Sequence, residues 1–155
     1  MRNLALLLIV AMVVVQCITV SGSLGLSCNS PWYSHLTYIF AHDGWVHLCI
    51  NAYALLTLVF MNDAGWAKMA ASWVISVLVP YNGDTPLLGM STLIYALLGI
   101  TVMDSPRWKM LITVNISVML SSIFIPYVAF MQHLVCFASG VVIGFLTSER
   151  HGRDS

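Results

Sequence analysis

The chain has 155 residues, of which 59% are hydrophobic and only 8% are charged, and its mean hydropathy is +0.89. This composition excludes an ordinary water-soluble domain, in which about 25% of residues are charged. Six basic and six acidic residues give a net charge of zero, which excludes nucleic-acid binding through a basic surface. The sequence therefore predicts an integral, multi-pass membrane protein in contact with the lipid bilayer, and it implies no soluble partner.

The charged residues divide the chain into apolar stretches that predict six transmembrane helices, since about 20 apolar residues span a bilayer. The first helix, about 4–20, can also be interpreted as a cleaved signal peptide. A retained helix is favoured because the apolar run is longer than a usual signal core. A loop over 21–43 follows, and it is as aromatic as a membrane interface. The other five helices are predicted at about 44–61, 67–79, 87–103, 110–125 and 130–147.

The basic residues provide an independent test of this count. Six spans place both termini on one side of the membrane, and every lysine and arginine falls in a segment that would face that side. These residues are Arg2, Lys68, Arg107, Lys109, Arg150 and Arg153. Basic loops face the cytoplasm. The predicted fold is therefore an all-α membrane protein, a single six-helix domain over 1–155 with both termini cytoplasmic.

Three of the predicted spans carry ionisable or polar side chains near the same end, where such residues are costly and function is their usual explanation. His47 and Asn51 are four residues apart on the second helix and share one face. Ser91 is predicted about one turn into the fourth helix, and His133 lies near the start of the sixth. Because the even-numbered helices all begin on the outer side, these four residues are expected at one depth.

Each of these residues, taken alone, also has a structural interpretation. A membrane serine often bonds its own helix, and histidine or asparagine can hold two helices together. A zinc site of His42, His47 and His133 is a further alternative. We nevertheless expect no metal and no cofactor, because no glutamate accompanies the histidines and the chain has no His-Glu-x-x-His helix.

The chemistry that fits the group as a whole is nucleophilic attack by Ser91, with His133 as general base and then general acid. No carboxylate is expected at this depth, so the sequence predicts a catalytic dyad instead of a triad. Tyr95 lies one turn further along the helix and could pack against His133. His47, Asn51 and the backbone N–H of Ser91 are the candidate donors to a developing oxyanion.

Three segments between about 36 and 146 resemble the signatures of the rhomboid intramembrane serine proteases. LTYIFAHDGWVHLCINAYALL is similar to the first-loop and second-helix signature, GMSTLIYALLG to the nucleophile motif, and HLVCFASGVVIG to the sixth-helix pattern. The resemblance implies a small, bacterial-type six-helix core in the bacterial cytoplasmic (inner) membrane. It also implies cleavage of the transmembrane segments of other membrane proteins near the outer leaflet.

The resemblance assigns roles residue by residue. Ser91 and His133 are implied as the catalytic pair, and His47, Asn51 and Ser91 as the oxyanion site. The supporting residues that it implies are Tyr95, Gly89 and His42, with Gly99, Gly140 and Gly144 as small residues between the helices.

Thr92 and Cys136 depart from the family pattern, which has glycine at both positions, and Thr92 is expected to crowd the turn beside the oxyanion site. Two alternatives to proteolysis of general membrane substrates therefore stay open. One is a catalytically inactive rhomboid-like protein that binds transmembrane clients. The other is a sorting-type relative that processes C-terminal anchors.

Overall fold

Apolar runs without internal proline become helices in the computed structural model, which describes residues 2–19, 24–61, 64–103, 105–107, 109–113 and 129–151. Within these ranges the regular secondary structure is helical, and the only extended pairing is an isolated bridge between Leu26 and Leu87. The all-α class is therefore confirmed. The helices are α1 (Arg2–Ile18), α2 (Ser34–Thr37), α3 (Gly44–Met61), α4 (Trp66–Leu78), α5 (Ser91–Val102) and α6 (Phe130–His151).

The helices differ in whether they could cross a bilayer by themselves. Among the described residues, one stretch, Phe130–Thr147 of α6, is both long and apolar enough. The 12 residues of α5 and 13 of α4 correspond to about 18–20 Å, against about 30 Å of hydrocarbon. The six-span count and the orientation of the termini therefore stay predictions. Shorter apolar helices are Arg2–Ile18, Gly44–Phe60, Trp66–Leu78 and Ser91–Val102.

Most predicted helix limits agree closely with the structure. The helix predicted at 44–61 is α3, and α1, α4 and the start of α6 lie within about two residues of their predicted limits, the usual uncertainty of helix ends. Of the fifth helix, predicted at 110–125, residues 109–113 are helical and the remainder lies outside the described residues.

The start of α5 was predicted wrongly. The expected helix began at 87, whereas α5 begins at Ser91, so Ser91 is its first residue and does not lie one turn inside. The reason is that the preceding backbone is bonded elsewhere: Leu87 exchanges two hydrogen bonds with Leu26, of 2.7 and 3.0 Å. Gly89 also has φ +100°, a left-handed conformation that a continuous α-helix does not allow.

Helix α5 is the centre of the bundle. All of its residues except Ser91 and Leu98 are buried, and it packs against α3, α4 and α6. Its contact with α6 is backbone against backbone, because a Cβ atom added to Gly140 would lie 2.2 Å from the carbonyl oxygen of Ala96. Such close approach of two helices requires small residues, so the glycine spacing on α6 positions α6 directly beside α5.

The first loop, residues 24–43, has an exposed side and a buried side. Trp32 is 78% exposed, as expected for an interface aromatic, whereas Tyr38 and His42 are buried. His35 donates from Nδ1 to the carbonyl of Val77 at 2.9 Å, which attaches the loop to the end of α4. The loop is therefore a packed element of the fold.

Candidate functional site

Ser91 and His133 meet where α5 begins. The Oγ atom of Ser91 lies 2.8 Å from Nε2 of His133, within the 2.6–3.2 Å over which a proton can pass to a general base. His133 is buried, at 7% exposure, while Ser91 is partly exposed. A hydroxyl that another molecule can reach is therefore hydrogen-bonded to a histidine shielded from solvent.

The imidazole of His133 is oriented by stacking. The ring of Tyr95 lies parallel to it, with centroids 4.5 Å apart and planes at 23°. Nδ1 of His133 is buried and has no hydrogen-bond partner among the described residues. Within the described part of the chain the pair therefore has no third, carboxylate member, and the aromatic ring takes the orienting position.

Two side-chain donors face the turn that leads into Ser91. The backbone N–H of Asp43 donates to Nδ1 of His47 at 3.4 Å, so in the neutral ring the proton is on Nε2. A Cβ atom added to Gly89 would lie 2.9 Å from that Nε2 and 3.6 Å from Nδ2 of Asn51. Glycine is therefore favoured at 89 by its positive φ and by the space that the His47 ring occupies, while the distance to Asn51 is an ordinary contact.

Asn51 is held in place by its own helix. One N–H of its amide donates to the carbonyl of His47 at 2.9 Å, and the side chain is buried. An amide carries two such hydrogens, so the second is not needed for that bond. His47 and Asn51 thus present one N–H each on the side of α3 that faces the Ser91 turn.

His42 packs against this group. It is 1% exposed, and its Nδ1–H donates to the carbonyl of Phe40 at 3.1 Å. Its ring packs edge-to-face on that of His47, with centroids 5.1 Å apart. The pKa of His42 is lowered to about 4, mainly by burial and to a smaller degree by the neighbouring His47, while the hydrogen bond to Phe40 opposes the shift. His42 is therefore neutral near pH 7.

The neutral state of His42 predicts a loss of stability in acid. Its pKa is about 4 in the folded protein and 6.5 for an unperturbed histidine, so between these pH values the unfolded chain binds the additional proton. Stability therefore increases with pH across this window and is lost as the pH falls through it. We expect the unfolding midpoint in detergent to decrease from pH 6.5 towards pH 4.

The variant His42→Gln should show a shallower decrease over the same window. Asn29→Gln, at an exposed position of the same loop, is the control and should keep the wild-type slope. Equal slopes in the wild type and His42→Gln would show that another group causes the acid sensitivity.

Two residues near the nucleophile have contacts that the sequence did not predict. Thr92 was expected to crowd the oxyanion side, but its hydroxyl lies 2.7 Å from that of Tyr38, and both side chains are fully buried. Tyr38 was interpreted as one of several interface aromatics. No sequence signal was available, because the helix was expected to begin at 87, which would have given the Thr92 hydroxyl a helical carbonyl four residues back to bond.

The sequence alternative of a zinc site at His42, His47 and His133 finds no geometric support. Among the described residues, no three His, Cys, Asp or Glu side chains are grouped so that they could hold a metal ion.

Comparison with known proteins gives one family match. A family model described as Rhomboid domain matches residues 29–150. Neither the curated proteins nor the solved structures contain a significant match. The matched range covers most of the chain and includes every residue of the candidate site.

Proposed function

Because this chain belongs to the rhomboid family and is thus an integral membrane protein, we propose that it is a serine endopeptidase that cleaves other proteins within the membrane. Family membership confirms the prediction made from the three sequence signatures. The observation that carries the proposal is the 2.8 Å contact between Ser91 Oγ and His133 Nε2 at the start of α5. A serine hydroxyl needs such a base to become a nucleophile at neutral pH.

In the proposed reaction Ser91 Oγ attacks the carbonyl carbon of the scissile peptide while its proton passes to Nε2 of His133. The imidazolium that forms lies against the face of Tyr95, where the ring quadrupole stabilises a cation. His133 then donates the proton to the leaving amine. Water then attacks the acyl carbon while its proton passes to His133, the bond between the acyl group and Ser91 Oγ breaks, and His133 returns the proton to Oγ.

The oxyanion of each tetrahedral intermediate is proposed to bind three N–H groups. Ser91 is the first residue of α5, so its backbone N–H has no partner within the helix. Nε2 of His47 and the second amide N–H of Asn51 face the same turn. Loss of one such donor typically lowers turnover by about 10²- to 10³-fold.

The proposed substrates are transmembrane helices of other proteins. The amides of such a helix are hydrogen-bonded and must be released before Ser91 can attack, so segments that contain small or helix-weakening residues are favoured. We propose that the predicted six spans and cytoplasmic termini place the site near the outer leaflet. Residence in a bacterial inner membrane stays a prediction.

The test is cleavage by the purified protein in lipid vesicles. A single-span substrate with a Gly/Ala-rich segment should be cut inside the membrane, and a matched span of leucine only should remain intact. A fluorophosphonate probe should also label Ser91, since it reacts with activated serines. Recovery of intact substrate together with an unlabelled Ser91 would overturn the proposal.

The same products distinguish the two alternatives. A catalytically inactive binder would retain the uncut substrate. The reason to consider this alternative was the expected crowding of the oxyanion site by Thr92, and that reason is weaker because the Thr92 hydroxyl is bonded to Tyr38. A sorting-type relative would leave an adduct on the new C-terminus instead of a free carboxylate, which mass spectrometry detects. We favour hydrolysis.

A further inference from the structure

Tyr38 contacts the chain on both sides of Ser91. Its backbone carbonyl accepts from the N–H of Gly89 at 3.0 Å, and its phenol oxygen lies 2.7 Å from Oγ1 of Thr92. These two residues stand two before and one after the nucleophile. One residue of the first loop thus holds the turn that carries Ser91 at both ends.

The hydrogens of this network have a defined direction. The phenol has one proton, and it donates that proton to the carbonyl of Ser76 in α4 at 2.7 Å. The phenol oxygen must then accept from the hydroxyl of Thr92. The chain of donors runs from Thr92 through Tyr38 to Ser76 and connects α5 to α4 through the first loop.

Thr92 differs from another buried threonine of the same helix. Thr101 is 1% exposed, and its hydroxyl donates to the carbonyl of Leu97 at 2.6 Å, within α5. Thr92 is the second residue of the helix, so no α5 residue lies four positions before it. Its hydroxyl therefore bonds to Tyr38, outside the helix. Replacing either Thr92 or Tyr38 leaves the hydroxyl of the other residue buried without this hydrogen bond, which lowers stability.

We propose that Thr92 and Tyr38 form a positioning pair that holds the Ser91 hydroxyl in line with His133. The inference rests on the proposed catalytic function of Ser91. It assigns to Thr92, where the resemblance expected glycine, a specific role in this chain. The pair does not contact the substrate; it restricts the first turn of α5, and a displacement of about 1 Å there can lower turnover about 10²-fold.

The experiment compares Tyr38→Phe, Thr92→Val and the double variant in vesicles. We expect each single variant to lower kcat about tenfold, with KM changed less than about twofold, because the chemical step and not substrate binding depends on the pair. The double variant should be no worse than Tyr38→Phe, which already removes the bond to Thr92 together with the bond to Ser76. Thr92→Ser retains the hydroxyl and should restore turnover.

Thr101→Val is the matched control, because it removes a buried hydroxyl from α5 that is bonded within the helix. It should retain wild-type kcat even if its unfolding midpoint falls. The proposal is overturned if Thr92→Val turns over at the wild-type rate, or if the losses in the double variant multiply. Where Tyr38→Phe fails to fold, the contrast between Thr92→Val and Thr92→Ser carries the test.

A second measurement separates this proposal from the proposed function. If the wild type neither cleaves the substrate nor reacts with the fluorophosphonate, the proposed proteolytic function is wrong. The positioning by Thr92 and Tyr38 can then still be tested by amide hydrogen exchange of residues 89–94. Faster exchange in Thr92→Val than in Thr92→Ser and Thr101→Val supports positioning of this turn. Equal exchange in all three variants overturns it.

Discussion

Replacement of Ser91 by alanine should abolish cleavage, with a loss of about 10⁴- to 10⁶-fold in kcat, the range for removal of a nucleophile that acts with a histidine base. Ser91→Ala removes the hydroxyl that is bonded to Nε2 of His133. His133→Ala should be equally inactive, because Ser91 then has no base. The double variant should be no worse than either single one, since the two groups act in one proton transfer.

Protein stability should change far less than activity. Ser91→Ala leaves both ring nitrogens of His133 without a described partner, a cost of about 1–3 kcal/mol, while Tyr95 still stacks on the ring. Vesicle cleavage and thermal unfolding in detergent measure the two effects. Ser72→Ala is the control, because Ser72 is buried and bonds its own helix at Lys68, and it should remain active. Residual cleavage by Ser91→Ala near the wild-type rate would exclude this nucleophile.

Replacement of Gly140 by alanine should lower cleavage at least about 10²-fold, although Gly140 lies two turns from His133 along α6. The added Cβ would lie 2.2 Å from the carbonyl oxygen of Ala96. Backbone atoms cannot rotate away as a side chain can, so α5 and α6 must separate by most of an ångström. A shift of that size at the Ser91–His133 contact is enough for the predicted loss, and overpacking of this kind costs about 1–3 kcal/mol of stability.

Gly99→Ala should have the same effect from the other helix, because its Cβ would lie 2.3 Å from the carbonyl oxygen of Phe137. Gly65→Ala is the control: the φ of Gly65 is −66°, and no atom of the described residues outside its immediate chain neighbours lies within 4 Å of an added Cβ. Gly140→Ala and Gly99→Ala should show lower cleavage rates and lower unfolding midpoints than Gly65→Ala. Wild-type activity in Gly140→Ala would mean that this helix contact does not control the site.

Much of the fold is predictable because the membrane imposes simple requirements on a sequence. Apolar length and the absence of charge located α3 over 44–61 as observed, and the same signals located α1, α4 and the beginning of α6. Spacing by four residues placed His47 and Asn51 on one face of a helix. The family was predictable from three short motifs, whose residues are the polar ones that a membrane helix rarely carries.

The start of α5 shows what local sequence could not reveal. Leu87 and Leu88 continue the apolar run of the helix, so nothing in their composition indicates an end. The helix begins later because Leu87 pairs with Leu26 and the N–H of Gly89 is bonded to Tyr38. Those partners lie about 50–60 residues away, beyond the range of any helical or strand periodicity.

By itself the sequence determined an all-helical membrane protein of the rhomboid family. It also determined the few polar residues available for chemistry, because membrane spans contain few such residues. The sequence indicated that Tyr95 could pack against His133, and the two rings do stack. Only the tertiary structure decided that the Thr92 hydroxyl bonds to Tyr38 and that Ser91 is the first residue of its helix. Hydrogen-bond partners distant in the chain depend on how helices and loops pack. The sequence shows which side chains can form hydrogen bonds, and the packing of the chain decides which of these hydrogen bonds form.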